Sequence, residues 1–257
     1  MAEKMKRPGG ELASRPLHFF WIVDCSGSMY GEKIGAVNHA IQSVIPEMVD
    51  AASNNPNAQL LVRTLQFSSG ASWVTSSPVP VEDFAWDDLQ AGGVTDLGAA
   101  FELLSAQLTI PPMSDRALPP VLVLLSDGQP TDDYKKGLDK LLHLPWGKKA
   151  VRIAISIGQD SDDGVLTEFT GNRELVLQAN NAAMLTKMIK WASTAASMVS
   201  APASRILEDK QPVGIPLLPG VDDIEAPVVP ASPTNAPLIL DMNNIPNPDD
   251  VGAGDVW

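Results

Sequence analysis

Leu17-His18-Phe19-Phe20-Trp21-Ile22-Val23-Asp24-Cys25-Ser26-Gly27-Ser28 is the stretch whose reading decides the fold. An apolar run of that length, rich in aromatic and β-branched residues, reads as a strand buried on both faces. It stops at an acid, and two hydroxyls follow at alternate positions, so three hard oxygen donors stand at the strand's carboxyl end. The mouth of an open α/β sheet is where such folds bind ligands. Hard oxygens suit Mg²⁺, Mn²⁺ or Ca²⁺ rather than zinc or copper.

Two further donors are found downstream. Thr95 lies in Gly92-Gly93-Val94-Thr95-Asp96-Leu97, where the glycines allow a tight loop and Thr-Asp opens the helical pattern Leu97, Ala100, Phe101, Leu104. Asp127 ends a second fully apolar run, Val121-Leu122-Val123-Leu124-Leu125-Ser126, and Gly128 turns the chain after it. Singly, each residue has a plainer use. Ser26 and Ser28 suit the start of a helix near Glu32, Thr95 suits an N-cap, and Asp127 suits a turn in Asp-Gly-Gln-Pro. Cys25, between the donors, reads as a small buried packing residue.

Strand-like and helix-like patterns alternate as far as residue 199. Strands are expected at 17–23, 58–67, 71–75, 121–126, 150–157 and, at an edge, 174–177. Helices are expected at 31–52, from Thr95 to about Leu108, at 132–142, at 162–170, and from Asn180 or Asn181 to about Val199. Pro46 falls inside the first helix, and residues 76–92 read as a loop carrying Trp86. This order is that of a doubly wound α/β fold: a mostly parallel central sheet flanked by helices. Three strand-end or loop clusters, each ending on an oxygen donor, converge naturally in such a sheet.

Asp-x-Ser-x-Ser after the first strand, Thr in a Gly-rich loop and Asp-Gly after a later strand together resemble the metal-ion-dependent adhesion site of von Willebrand factor A (vWA) domains. Five positions match: Asp24, Ser26, Ser28, Thr95 and Asp127. The resemblance implies one Mg²⁺-class cation on the two serines and the threonine. The aspartates would act directly or through water, and an open position would take a partner's Asp or Glu. The stretches Arg15-Pro16-Leu17, Val23 to Met29 and Asp127 to Asp132 further resemble the bacterial tellurite-resistance-type vWA proteins. That narrower resemblance implies a scaffold in a stress-response or signalling system with a protein kinase or a PP2C-type phosphatase. Two alternatives stand beside it: a vWA subunit coupled to an AAA+ ATPase, and a metal-dependent hydrolase or phosphatase using Asp24. The second would be expected to carry Asp-x-Asp, and Ser26 holds the second position.

Composition narrows the classes. The formal net charge of -13 argues against nucleic acid and anionic membranes as partners. A single cysteine fits a reducing, cytoplasmic setting, and no apolar run approaches a membrane span. His18, His39 and His143 are scattered without metal-ligand spacing. Three segments are expected: a flexible 1–13, a vWA domain at 14–200, and an extended tail at 201–257. That tail holds ten of the 22 prolines and nine acids against two bases, too little apolar material to pack a core. Its apolar clusters and Trp257 read as motifs for a partner, with Asp249, Asp250 or Asp255 as candidate carboxylates for a metal site.

Overall fold

The computed structural model describes residues 14–55, 58–127, 129–158 and 161–190. The opening run forms β1 (Arg15–Asp24), at the centre of a seven-stranded sheet. β2 (Ala58–Ser68) pairs parallel to it on one side and β5 (Val121–Ser126) on the other. Beyond β5 lie β6 (Val151–Ile157) and β7 (Val176–Ala179), both parallel. On the β2 side, β3 (Gly70–Trp73) and the two-residue β4 (Val79–Pro80) pair antiparallel with β2. The carboxyl ends of all five parallel strands therefore open at one end of the sheet.

Residue parity in the central strands explains why they read as unbroken apolar runs. Phe19, Trp21 and Val23 of β1 share a core with Val121, Val123 and Leu125 of β5 and with Ile153 and Ile155 of β6. Their neighbours Phe20, Ile22, Leu122 and Leu124 enter a second core on the opposite face. A side chain of this size contributes about 1.5–3 kcal/mol when fully buried, so both faces are strongly specified. The first core is covered by α1 (Glu32–Ser53) and a helix at 182–190, through residues such as Val37, Ile41, Leu185 and Ile189. The second is covered by α2 (Leu97–Gln107), α3 (Tyr134–His143), the short α4 (Pro145–Lys149) and α5 (Asp163–Thr170).

The architecture matches the expected doubly wound sheet, with corrections in detail. The edge strand is Val176–Ala179 rather than 174–177, because a 3-10 turn at Arg173–Leu175, opened by Asn172 Oδ1 accepting from Glu174 N–H, occupies the start of that segment. α1 runs on through Pro46. The loop at 76–92 contains β4 and a 3-10 turn at Val81–Asp83, and Asn38 of α1 pins it by accepting from Trp86 Nε1 (3.1 Å) and Leu89 N–H (2.9 Å). Asn181 does cap the helix after β7, its Oδ1 accepting from Met184 N–H at 2.8 Å. The expected extension of that helix past 190, the N-terminal segment and the tail lie outside the described residues.

Candidate metal centre

Asp24 ends β1 fully buried, in a place where a carboxylate stays only if its oxygens are hydrogen-bonded. Oδ1 accepts from Ser26 N–H at 2.8 Å, which turns the chain sharply after the strand. Oδ2 accepts from Ser126 Oγ, the last residue of β5, at 2.6 Å. Burial pushes the Asp24 pKa up, the bonds from Ser126 and Ser26 pull it down, and the neighbouring Asp127 adds to the upward push.

The turn brings the two serine hydroxyls together. Ser26 Oγ lies 3.0 Å from Ser28 Oγ; Ser26 is buried and Ser28 exposed, so the pair leads from the interior to the surface. Thr95 is drawn to the same place by backbone bonds between the loops. Gly27 N–H donates to Gly93 O (3.0 Å) and Gly92 N–H to Cys25 O (2.8 Å). Gly93 has φ +86, and a Cβ there would sit 2.5 Å from Ser69 Oγ, so this close approach requires glycine. On its other side Thr95 exchanges bonds with Thr131, giving from its N–H to Thr131 Oγ1 (3.1 Å) and accepting at its carbonyl from Thr131 N–H (2.8 Å).

Asp127 follows β5, buried like Asp24 but differently satisfied. Its Oδ1 has no hydrogen-bond partner, and its Oδ2 lies 3.8 Å from Lys33 Nζ. An unpartnered buried carboxylate oxygen is costly and calls for an explanation. Hydroxyl, carboxylate and buried oxygen together form a donor set that fits a divalent cation preferring oxygen. Among the described residues no three His, Cys, Asp or Glu side chains cluster, so hydroxyls are essential to any cation site at this end of the sheet.

Of the five expected donors, Asp24 ends β1 and Asp127 follows β5, while Ser26 and Ser28 lie in the turn after β1 and Thr95 in the loop before α2, which backbone bonds tie to that turn. Thr95 does not open its helix: α2 starts at Leu97, and the cap comes from Asp132, whose carboxylate accepts from Gly98 N–H (2.9 Å) and Ala99 N–H (3.1 Å). Cys25 is buried, and its thiol is pushed up to about 12 by burial, with Asp24 adding to it, which makes it unreactive. Sequence reasoning missed Ser126, Lys33, Thr131 and Asp132. Ser126 carried a signal, as the one polar residue in a buried strand. Lys33 did too, as a cation in a helix's first turn, where the dipole disfavours it. Asp249, Asp250, Asp255 and Trp257 lie outside the described residues.

A family model for the von Willebrand factor type A domain matches residues 20–191, about two thirds of the chain. The chain belongs to the von Willebrand factor type A family. Solved structures share the fold at low identity. A von Willebrand factor type A protein from Catenulispora acidiphila superposes with a TM-score of 0.52 at 17% identity, over 72% of this chain and 43% of that one. The pilus adhesin SpaC from Lactobacillus rhamnosus GG gives 0.57 at 15%, over 73% and 31%. Proximal thread matrix protein 1 from the mussel byssus, solved with a zinc-occupied MIDAS motif, gives 0.54 at 16%, over 72% and 48%. The chain spans less than half the length of each of these three. No curated protein sequence matches it. Among the described residues no helix is long and apolar enough to cross a membrane.

Proposed function

We propose that this vWA domain is a non-enzymatic, metal-dependent protein-interaction module. Ser26, Ser28 and Thr95 would hold one divalent cation directly, Asp24 and Asp127 directly or through water, and a partner's carboxylate would complete the shell. The observation that carries this reading is the buried, unpartnered Oδ1 of Asp127 at the same strand-end cluster as the paired serine hydroxyls. The bound cation would supply positive charge for an incoming carboxylate; the protein supplies its placement. The donor set favours Mg²⁺, with Mn²⁺ or Ca²⁺ accommodated by the same oxygens. The zinc in the mussel protein's motif adds zinc to the cations worth testing.

An interaction role is favoured over hydrolysis by where the bases are. His18 lies in the middle of β1, His39 on α1 and His143 at the end of α3, none in the hydroxyl-bearing loops. Asp24 is engaged by Ser26 and Ser126 rather than poised toward solvent. The cellular reading is a cytoplasmic scaffold, in the manner of tellurite-resistance-type vWA proteins, for a protein kinase or PP2C-type phosphatase. Residues 201–257, with Asp249, Asp250, Asp255 and Trp257, would add affinity for that partner.

Calorimetric titration of Mg²⁺, Mn²⁺ and Zn²⁺ into the full chain tests the site. One saturable cation is expected, and no binding of any of the three sinks the reading. Retention of a co-encoded kinase or phosphatase on the immobilised chain, lost with chelator, tests the partner. Truncation after Ser200 should keep cation binding and weaken that retention.

A further inference from the structure

Lys33 occupies the first turn of α1, directly after Glu32. That is the positive end of the helix, and this helix opens with Gly31 at φ +83 and no side-chain cap, so its first N–H groups add to the positive potential. A lysine there is held against the local field. Its ammonium nevertheless sits with its side chain only 20% exposed, 3.8 Å from Asp127 Oδ2, while the other oxygen of that carboxylate has no partner. At 3.8 Å the contact is charge pairing rather than a hydrogen bond, so Lys33 neutralises Asp127 without saturating it.

We propose that Lys33 is a tethered counter-ion that weakens cation binding at Asp127 and strengthens capture of an anionic partner at the same site. The inference rests on the cation site proposed above. A fixed ammonium beside Asp127 repels an arriving dication at short range in a partly buried setting, where charges are poorly screened. A carboxylate arriving afterwards meets the dication and the ammonium together. The lysine therefore lowers affinity for the metal alone and raises affinity for the carboxylate that follows it.

The test compares the full chain with Lys33→Met, Lys33→Arg and, as a remote control, Lys135→Met, whose exposed partner is Glu168. In Mn²⁺ titrations Lys33→Met should bind about tenfold more tightly than the parent, with Lys33→Arg and Lys135→Met close to it. In glutarate titrations of the Mg²⁺-saturated proteins, followed by NMR, Lys33→Met should bind several-fold more weakly. Lys33→Gln serves the same comparison if the Met variant does not fold. Mn²⁺ affinity unchanged or reduced in the uncharged variants, or an Arg variant that behaves like Met, overturns the role of Lys33 and leaves the cation site standing. A parent chain that binds no Mn²⁺ overturns both.

Discussion

Asp24 and Asp127 stand at the ends of adjacent parallel strands, each after an apolar run and each buried, yet they are not equivalent. Asp24 has both oxygens engaged, one by Ser26 N–H and one by Ser126 Oγ. Asp127 has one oxygen without a partner and the other paired by charge alone with the Lys33 ammonium at 3.8 Å. The difference separates two jobs that similar sequence contexts conceal. Asp24 organises the loop that carries Ser26 and Ser28 and ties β1 to β5. Asp127 keeps its coordinating capacity uncommitted.

The comparison is most exposed to Asp24→Ala. Removal of that carboxylate takes the acceptor from the buried Ser26 N–H and breaks the bond from Ser126 Oγ, so about 2–3 kcal/mol of stability should be lost even in chelator. A denaturant midpoint unchanged from the parent would make Asp24 no more structural than Asp127.

Acid denaturation sharpens it, because β1 carries a second buried titratable group. His18 has its pKa lowered to about 4 from 6.5, by burial first and by Arg63 second. The folded state thus takes up a proton less readily than the unfolded chain. Stability should be complete above the unfolded value and fall as pH drops from about 6.5 toward 4, by about 3 kcal/mol in total. His18→Phe, stacked on Phe20 as the imidazole is, should flatten that slope. An equal slope in the variant would show that His18 is not the group behind the acid sensitivity.

Asp127→Asn should change stability in chelator by no more than about 1 kcal/mol, since no hydrogen bond is lost. Its cation affinity in calorimetry should nevertheless fall by at least an order of magnitude, as a charged oxygen donor is replaced by an amide. A large loss of stability with intact cation binding would reverse the roles of the two aspartates. The smallest stability effect belongs to Ser28→Ala: the side chain is exposed, so unfolding should move by about 0.5 kcal/mol or less. Its cation affinity should still fall several-fold; parent-like binding removes Ser28 from the site.

Much of this arrangement was legible before any coordinates. Continuous apolar runs ending on Asp24 and Asp127 mark central parallel strands, since both faces are covered, and the site follows from where such strands end. What was illegible is what crosses the chain. The bond from Ser126 to Asp24 joins residues 102 positions apart, and the cap that Asp132 places on α2 joins residues 33 and 34 apart. Neither leaves a periodic trace. Thr95, a plausible N-cap by local rules, is not one: Asp96 holds the position before α2, and the accepting carboxylate is that of Asp132. The two-residue shift of β7 has a local cause: Asn172 starts a 3-10 turn where β-forming residues suggested extended chain.

The central position of β1 carries a kinetic consequence. One neighbour, β2, is the next strand in the chain, but the other, β5, pairs Phe19 with Val121, and parallel pairing demands that the intervening helices cross over before the strand ends are in register. Ser126 cannot reach Asp24 until the chain between them has closed, so the bond is expected to form late: Ser126→Ala should show a φ-value of about 0 in folding kinetics, and a value of about 1 would place this bond in the nucleus. Interactions made that late slow unfolding and scarcely change the folding rate. A clamp across β1 and β5 at this end of the sheet would therefore act as a latch on the finished fold, prolonging its lifetime rather than guiding its formation.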